Sequence, residues 1–155
     1  MTLKKLDAMA LFNAWQTLDS GASAQLRRVT KPDELQDIPA FYRLVQPFGW
    51  QEKDNQRQLL SMVFCLSSGK NVVKNTAEKV SLGRALAKTG AINERRVFQL
   101  IRADYPNDLV QLRRLLIHAQ PTLNWDDFAQ QLQYWGAKAK RQLLEDFVLA
   151  TPKKD

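Results

Sequence analysis

Apolar residues recur along this chain with the period of an α-helix. Near its start, Ala8, Leu11 and Trp15 are three or four residues apart and fall on one face of a helix. The same spacing recurs between residues 56 and 67. No segment alternates apolar and polar residues for long enough to indicate a strand. The pattern therefore predicts an all-α protein, a compact helical bundle of about eight or nine helices.

Glycine, proline and N-capping residues divide this pattern into separate helices. Ser20 with Gly21 indicates the end of the first helix, and Gly69 indicates the end of a long helix in the middle of the chain. Helix starts are indicated at Pro32, Ser81, Asn93, Asp108 and Asn124.

The segment from residue 70 to 80 differs from the rest of the chain. It carries Lys70, Lys74 and Lys79, has little apolar content and shows no clear period, which is typical of a mobile loop. We therefore predict an N-terminal helical lobe over residues 1–69, a basic loop over 70–80 and a C-terminal helical lobe over 81–155. The two lobes are expected to pack as one globular unit.

The chain is strongly basic. Its 23 lysines and arginines against 16 acidic residues give a formal net charge of +7. Such a balance is compatible with nucleic acid, an anionic membrane surface or an acidic protein as the partner. The cations are spread over both halves rather than gathered in a tail, and cations on outer helix faces are sufficient to bind a polyanion. We therefore expect nucleic acid, contacted through its phosphates.

The residues that most enzymes and metal sites need are scarce. Cys65 is the only cysteine and lies in an apolar run, so we expect it to pack in the core. His118 is the only histidine, which excludes a metal site with two histidine ligands. No glycine-rich phosphate loop and no cluster of carboxylates stand out. We expect no enzymatic activity, no metal, no cofactor and no small-molecule substrate.

The sequence shows neither a signal peptide nor a membrane span. Asp7 and Asn13 interrupt the N-terminal apolar stretch, and no run approaches the roughly 18 apolar residues that a span requires. A single cysteine suits a reducing compartment. We expect a cytoplasmic protein that makes no contact with a membrane.

Helical periodicity separates outward-facing cations from inward-facing ones. Between residues 93 and 103 it places Arg95 and Arg102 opposite the apolar face. In the next helix Arg114 falls on the polar face, whereas Arg113 falls among leucines. We assign Arg114 to ligand binding and Arg113 to a structural role in which its stem covers apolar surface. For the outward-facing arginines, a merely solvated face is the alternative.

Two further groups of cations lie at helix ends. Arg27 and Arg28 end a short helix, where the helix dipole alone favours positive charge. Lys138 and Lys140 open the last helix, where each positive charge costs roughly a few tenths of a kcal/mol. Charges placed against local preference are the better functional candidates.

Aromatic side chains offer a second way to hold nucleic acid, by stacking on unpaired bases. The chain has four tryptophans, but an aromatic residue at helical spacing usually packs in the core. Trp15 lies in such an apolar stripe. We expect the tryptophans to be core or interface anchors.

Five long segments carry a resemblance to one known family. In order along the chain they are DAMALFNAWQTLDSGASAQLRRV, DELQDIPAFYRLVQPFGW, SLGRALAKTGAINERRVFQLIRAD, VQLRRLLIHA and RQLLEDFVLAT. Together they resemble the CasB family, the small subunit of the type I-E CRISPR surveillance complex Cascade. The resemblance extends over nearly the whole chain.

The resemblance implies an all-α protein of two lobes without enzymatic activity, present as two copies that lie head to tail in the complex. It implies as partners a second copy of the chain, the large subunit, the backbone subunits, the guide RNA and the target DNA. It also implies a function: the basic surface helps to hold the open R-loop, chiefly the displaced non-target strand.

The resemblance also selects among the cations. The family's basic positions match at Arg28, Lys53, Arg114 and Lys138. The residues that we expect to support them are Arg27, Arg95, Arg102 and Lys140. The alternative is a purely structural clamp, whose charges meet neighbouring subunits and whose contacts with nucleic acid are incidental.

Overall fold

A computed structural model describes residues 6–69, 72 and 74–151 of the chain. Helices dominate the described residues, which confirms the all-α prediction. They are α1 (Ala8–Gln16), α2 (Ser20–Arg27), α3 (Pro39–Val45), α4 (Lys53–Leu66), α5 (Leu82–Thr89), α6 (Glu94–Arg102), α7 (Asn107–Ala119), α8 (Trp125–Gln133) and α9 (Ala137–Ala150). Two short 3₁₀-helices, Pro32–Asp37 and Gln46–Phe48, flank α3.

A short pair of strands interrupts the helical architecture, and the sequence analysis did not predict it. β1 (Lys74–Asn75) pairs in parallel with β2 (Thr122–Leu123), with Lys74 opposite Thr122. Side-chain and backbone bonds join the same segments, since the Trp125 indole donates to the Lys74 carbonyl at 3.0 Å. Two-residue strands are too short to show a period. The described part of the predicted loop is therefore tied to the connection between α7 and α8, while Lys70, Asn71 and Val73 lie outside the described residues.

N-capping residues set most of the helix starts. The side chains of Ser81, Asn93 and Asn124 each accept a backbone hydrogen bond from the first turn of α5, α6 and α8, as predicted. The prediction that Ser20 and Gly21 end a helix was wrong. Asp19 caps α2 by accepting from the Ala22 amide at 2.8 Å, so Ser20 and Gly21 form its first turn.

The predicted cap at Asp108 was also wrong. Helix α7 begins one residue earlier, at Asn107, and the Asp108 side chain is buried. Asp108 is an acidic residue at a plausible helix start, but its carboxylate also binds the side chains of Trp135 and Lys140, which lie far away in the sequence.

The buried apolar side chains form one cluster that draws on both halves of the chain. Helix α4 lies against α7 and α8, and α5 packs along α9. Trp15 and Cys65 are buried in this cluster, as predicted. Burial raises the pKa of the Cys65 thiol to about 12, so the thiol stays protonated. The division into two lobes stays a prediction.

Candidate nucleic-acid interface

Arg113 on α7 joins three segments of the chain. Its guanidinium donates to the carbonyls of Val29 at 2.8 Å, Arg27 at 3.0 Å and Ser67 at 3.0 Å. It also lies over the Phe64 ring, 4.7 Å from the ring centre. The residue is 8% exposed, and burial lowers the pKa of its guanidinium. The predicted structural role of Arg113 is confirmed.

This anchoring brings together cations that are far apart in the sequence. The two carbonyls that Arg113 binds on the α2 side flank Arg28, so the end of α2 lies against α7. Arg27 and Arg28 are exposed there, and so is Arg114, the residue that follows Arg113. The structure thus places three predicted site residues on adjoining elements.

Helix α6 packs against α7 and carries two further predicted site residues. Arg95 and Arg102 are exposed seven residues apart, and Arg102 lies over the Phe98 ring at 5.3 Å. Arg102 and Gln111 of α7 line one shallow depression, and Gln111 precedes Arg114 by one helical turn. We call the exposed cations of these adjoining elements the basic strip; they are Arg27, Arg28, Arg95, Arg102 and Arg114.

Lys53 lies on another element, as the exposed first residue of α4. One turn later Arg57 is also exposed and lies over the Tyr105 ring at 4.9 Å. The Tyr105 hydroxyl donates to Asp33 at 2.8 Å, and burial, together with this carboxylate, raises the pKa of Tyr105 to about 12. Arg57 is not among the predicted site residues, although its four-residue spacing from Lys53 was a usable signal.

The assignment of Lys140 to nucleic-acid binding is corrected by its contacts. Its ammonium lies 2.9 Å from the Asp108 carboxylate and donates to the Ala103 carbonyl at 2.9 Å. The Trp135 indole donates to the same carboxylate at 3.0 Å. The side chains of Lys140 and Asp108 are 14% and 3% exposed, so the pair is internal. Lys138, by contrast, is exposed.

Lys140 and Lys138 should therefore respond differently to replacement. Lys140→Ala is expected to reduce the free energy of unfolding by about 2 kcal/mol, because the buried Asp108 carboxylate loses its cation but keeps the hydrogen bonds from the Leu109 amide and the Trp135 indole. The matched variant Lys138→Ala is expected to change it by less than about 0.5 kcal/mol. Urea denaturation of both variants measures the difference. Equal stabilities would contradict the internal role of Lys140.

The four tryptophans pack inside the protein or against other side chains. Trp15 and Trp125 are buried, and the half-buried Trp50 packs edge-on against Phe41 with ring centres 5.1 Å apart. Trp135 is held by Asp108. Their expected role as packing anchors agrees with these contacts.

Neither a metal-ligand cluster nor a membrane-spanning helix is found in the described part of the chain. Among residues 6–69, 72 and 74–151, no group of three or more histidine, cysteine or acidic side chains could hold a metal ion. Within the same residues, every helix is too short or too polar to cross a bilayer.

Comparison with known proteins gives one consistent family. The model of the CRISPR-associated protein Cse2 family matches residues 22–147. The Cascade subunit CasB of the Escherichia coli (strain K12) CRISPR system is 61% identical over 155 residues, covering 96% of this chain and 97% of that protein.

Solved structures agree. A chain in the crystal structure of E. coli Cascade bound to a PAM-containing double-stranded DNA target is 63% identical, with a TM-score of 0.94, covering 96% of this chain and 98% of that one. CasB from Thermus thermophilus, at 15% identity and a TM-score of 0.68 over 94% of this chain and 100% of that one, shares the fold. The chain therefore belongs to the Cse2 (CasB) family, the small subunits of type I-E Cascade.

Proposed function

We propose that this chain is a non-catalytic small subunit of Cascade that acts in the cytoplasm and stabilises the R-loop by holding the displaced DNA strand. Two copies of the chain contribute to each particle, next to the backbone subunits, the large subunit and the guide RNA. Two findings support the proposal: membership of the Cse2 family, and a 63% identical chain in a Cascade structure with a double-stranded DNA target.

The chemistry that this function requires is modest. Opening DNA for pairing with a guide RNA is nearly balanced in free energy, so contacts to the backbone of an open strand can tip the exchange. Phosphate contacts carry no sequence information, which suits a surface that must accept every target. Arginine and lysine side chains on helix faces are sufficient for this task.

The observation that carries the proposal is the position of Arg113. By binding the carbonyls on both sides of Arg28, it holds the end of α2 against α7. Exposed cations from α2 and α7 are thereby kept on adjoining elements, and α6 packs against α7 independently of Arg113. Cations on helices that are already packed together can contact the phosphates of a DNA strand at a smaller entropic cost, because binding does not have to order the helices.

Replacing Arg28, Arg114 and Lys138 together with alanine tests the proposal. Cascade assembled with this triple variant is expected to bind target DNA more weakly than wild type. If each side chain neutralises one phosphate of a single strand, the plot of log affinity against log salt becomes shallower by about 2. The measurement is target affinity of the assembled complex over a series of salt concentrations.

The control keeps the net charge equal and changes the position of the lost charges. Lys79, Arg84 and Lys88 are exposed on and before α5, and their replacement with alanine removes the same charge from a different surface. This control is expected to retain the wild-type salt dependence. Wild-type affinity and salt dependence in the Arg28, Arg114 and Lys138 variant would contradict the proposal, and so would an equal loss in the control.

A structural clamp is the second candidate function, and one observation favours it. Val148 and Leu149 near the end of α9 are exposed, Leu149 by 77%, beside a groove lined by Ile92 and Phe147. Exposed apolar side chains of this kind suit a protein interface. A pure clamp predicts that the triple variant, once incorporated into the complex, binds target DNA like wild type.

A further inference from the structure

Tyr134 differs from the other exposed aromatic residues of the described chain. It is 70% exposed, whereas Tyr42 and Phe98 are 38% and 46% exposed. Tyr42 packs against Phe41 and donates its hydroxyl to the Gln36 carbonyl, and Phe98 lies beneath the Arg102 guanidinium. Among residues 6–69, 72 and 74–151, no ring, cation or hydrogen-bond partner engages the side chain of Tyr134. Both faces of this ring are therefore free of polar and aromatic partners within the described chain.

The backbone that presents Tyr134 is firmly held. Tyr134 is the C-cap residue that follows α8, and its neighbour Trp135 donates its indole N–H to the buried Asp108 carboxylate at 3.0 Å. Lys140 closes the same network from the first turns of α9, 2.9 Å from that carboxylate and 5.9 Å from the centre of the Trp135 ring. Because the turn is anchored, a ligand that covers the ring needs to order only the two side-chain torsions and not the backbone.

The space around this turn is open, and its charge is positive. A Cβ atom built on Gly136, two residues from Tyr134, meets no atom within 4 Å. Lys138 and Arg141 follow on the first turns of α9 and are exposed. A free aromatic face beside cations is the combination with which proteins hold single-stranded nucleic acid, because the ring stacks on a base and the cations contact the phosphates.

We propose that Tyr134 is a stacking site for an unpaired nucleobase of the displaced strand, with Lys138 on the adjacent phosphate. The inference rests on the proposed function and adds to it a contact with bases, which the basic strip does not provide. Stacking of this kind accepts every base, since each base has a π-face, so the site remains blind to sequence.

The test uses Cascade assembled with this chain and a target whose displaced strand is kept open by mismatches. Two versions of the open strand have the same number of phosphates, but one carries thymine bases and the other carries abasic sites. Tyr134→Ala is expected to weaken binding of the thymine target about fivefold or more and to leave binding of the abasic target unchanged. Tyr134→Phe keeps the ring and is expected to bind both targets like wild type.

Two results would overturn the inference. Wild-type affinity of Tyr134→Ala for the thymine target would show that no base covers the ring, and an equal loss with both targets would show that the ring contacts polypeptide. The salt dependence separates this inference from the proposed function. Tyr134→Ala removes no charge and should keep the wild-type salt slope, whereas the slope measured with the Arg28, Arg114 and Lys138 variant tests the phosphate contacts alone.

Discussion

Arg113→Ala is expected to reduce the free energy of unfolding by about 3 kcal/mol. The change leaves the carbonyls of Val29, Arg27 and Ser67 without their donor, and an unpaired buried polar group costs about 1–3 kcal/mol. It also removes the guanidinium that covers the Phe64 ring. Relief from burying a charge offsets part of this loss. Urea denaturation measures the result.

Arg114→Ala is the matched control, since it removes the same side chain one position later. Arg114 is exposed, so its loss should change the unfolding free energy by less than about 0.5 kcal/mol. Its effect should appear instead in the affinity of the assembled complex for target DNA. A stable Arg113→Ala variant together with an unstable Arg114→Ala variant would reverse the assignment of the two residues.

Gly83→Ala should destabilise the chain by a similar amount, about 3 kcal/mol. A Cβ atom at Gly83 would lie 2.5 Å from the Leu143 carbonyl oxygen and 2.7 Å from the Phe147 amide nitrogen. These are backbone atoms of α9, so α5 and α9 must separate to admit a methyl group. By intrinsic helix propensity alone, replacing glycine with alanine should stabilise a helix by about 1 kcal/mol. A loss of stability in Gly83→Ala would therefore come from the steric clash and not from propensity.

Gly136→Ala serves as the control for this variant. At Gly136 the added Cβ meets nothing within 4 Å, and the backbone is extended, with φ at −164°. Its melting temperature is expected to stay close to that of wild type. If Gly83→Ala melted at the wild-type temperature too, the close contact between α5 and α9 would be refuted.

The candidate site could be predicted in part, and the reason is helical periodicity. Arg113 and Arg114 are adjacent in the sequence, yet a rotation of 100° per residue places one among leucines and the other on the polar face. The structure buries Arg113 and exposes Arg114 accordingly. The role of Arg114 in binding stays a prediction.

The misassigned residues have partners that lie far away in the sequence. Lys140 was grouped with the cations at the start of α9, and only the packing of α9 against α6 and Ala103 brings its ammonium to Asp108. The same packing brings one carboxylate oxygen of Asp108 to Lys140 and Trp135, while the other oxygen accepts from the Leu109 amide. The exposure of Tyr134 was not predicted, because the sequence pattern does not distinguish a solvent-exposed tyrosine from a buried one.

The amino-acid sequence by itself determined that the chain is helical, where α5, α6 and α8 begin, and that cations project from outer helix faces. These properties depend on local geometry, namely the 3.6-residue period and the capping bonds of single turns. The tertiary structure alone decided which cations adjoin one another, which is neutralised inside, and which aromatic ring remains in water. Those outcomes depend on contacts between distant segments, and no local pattern records them.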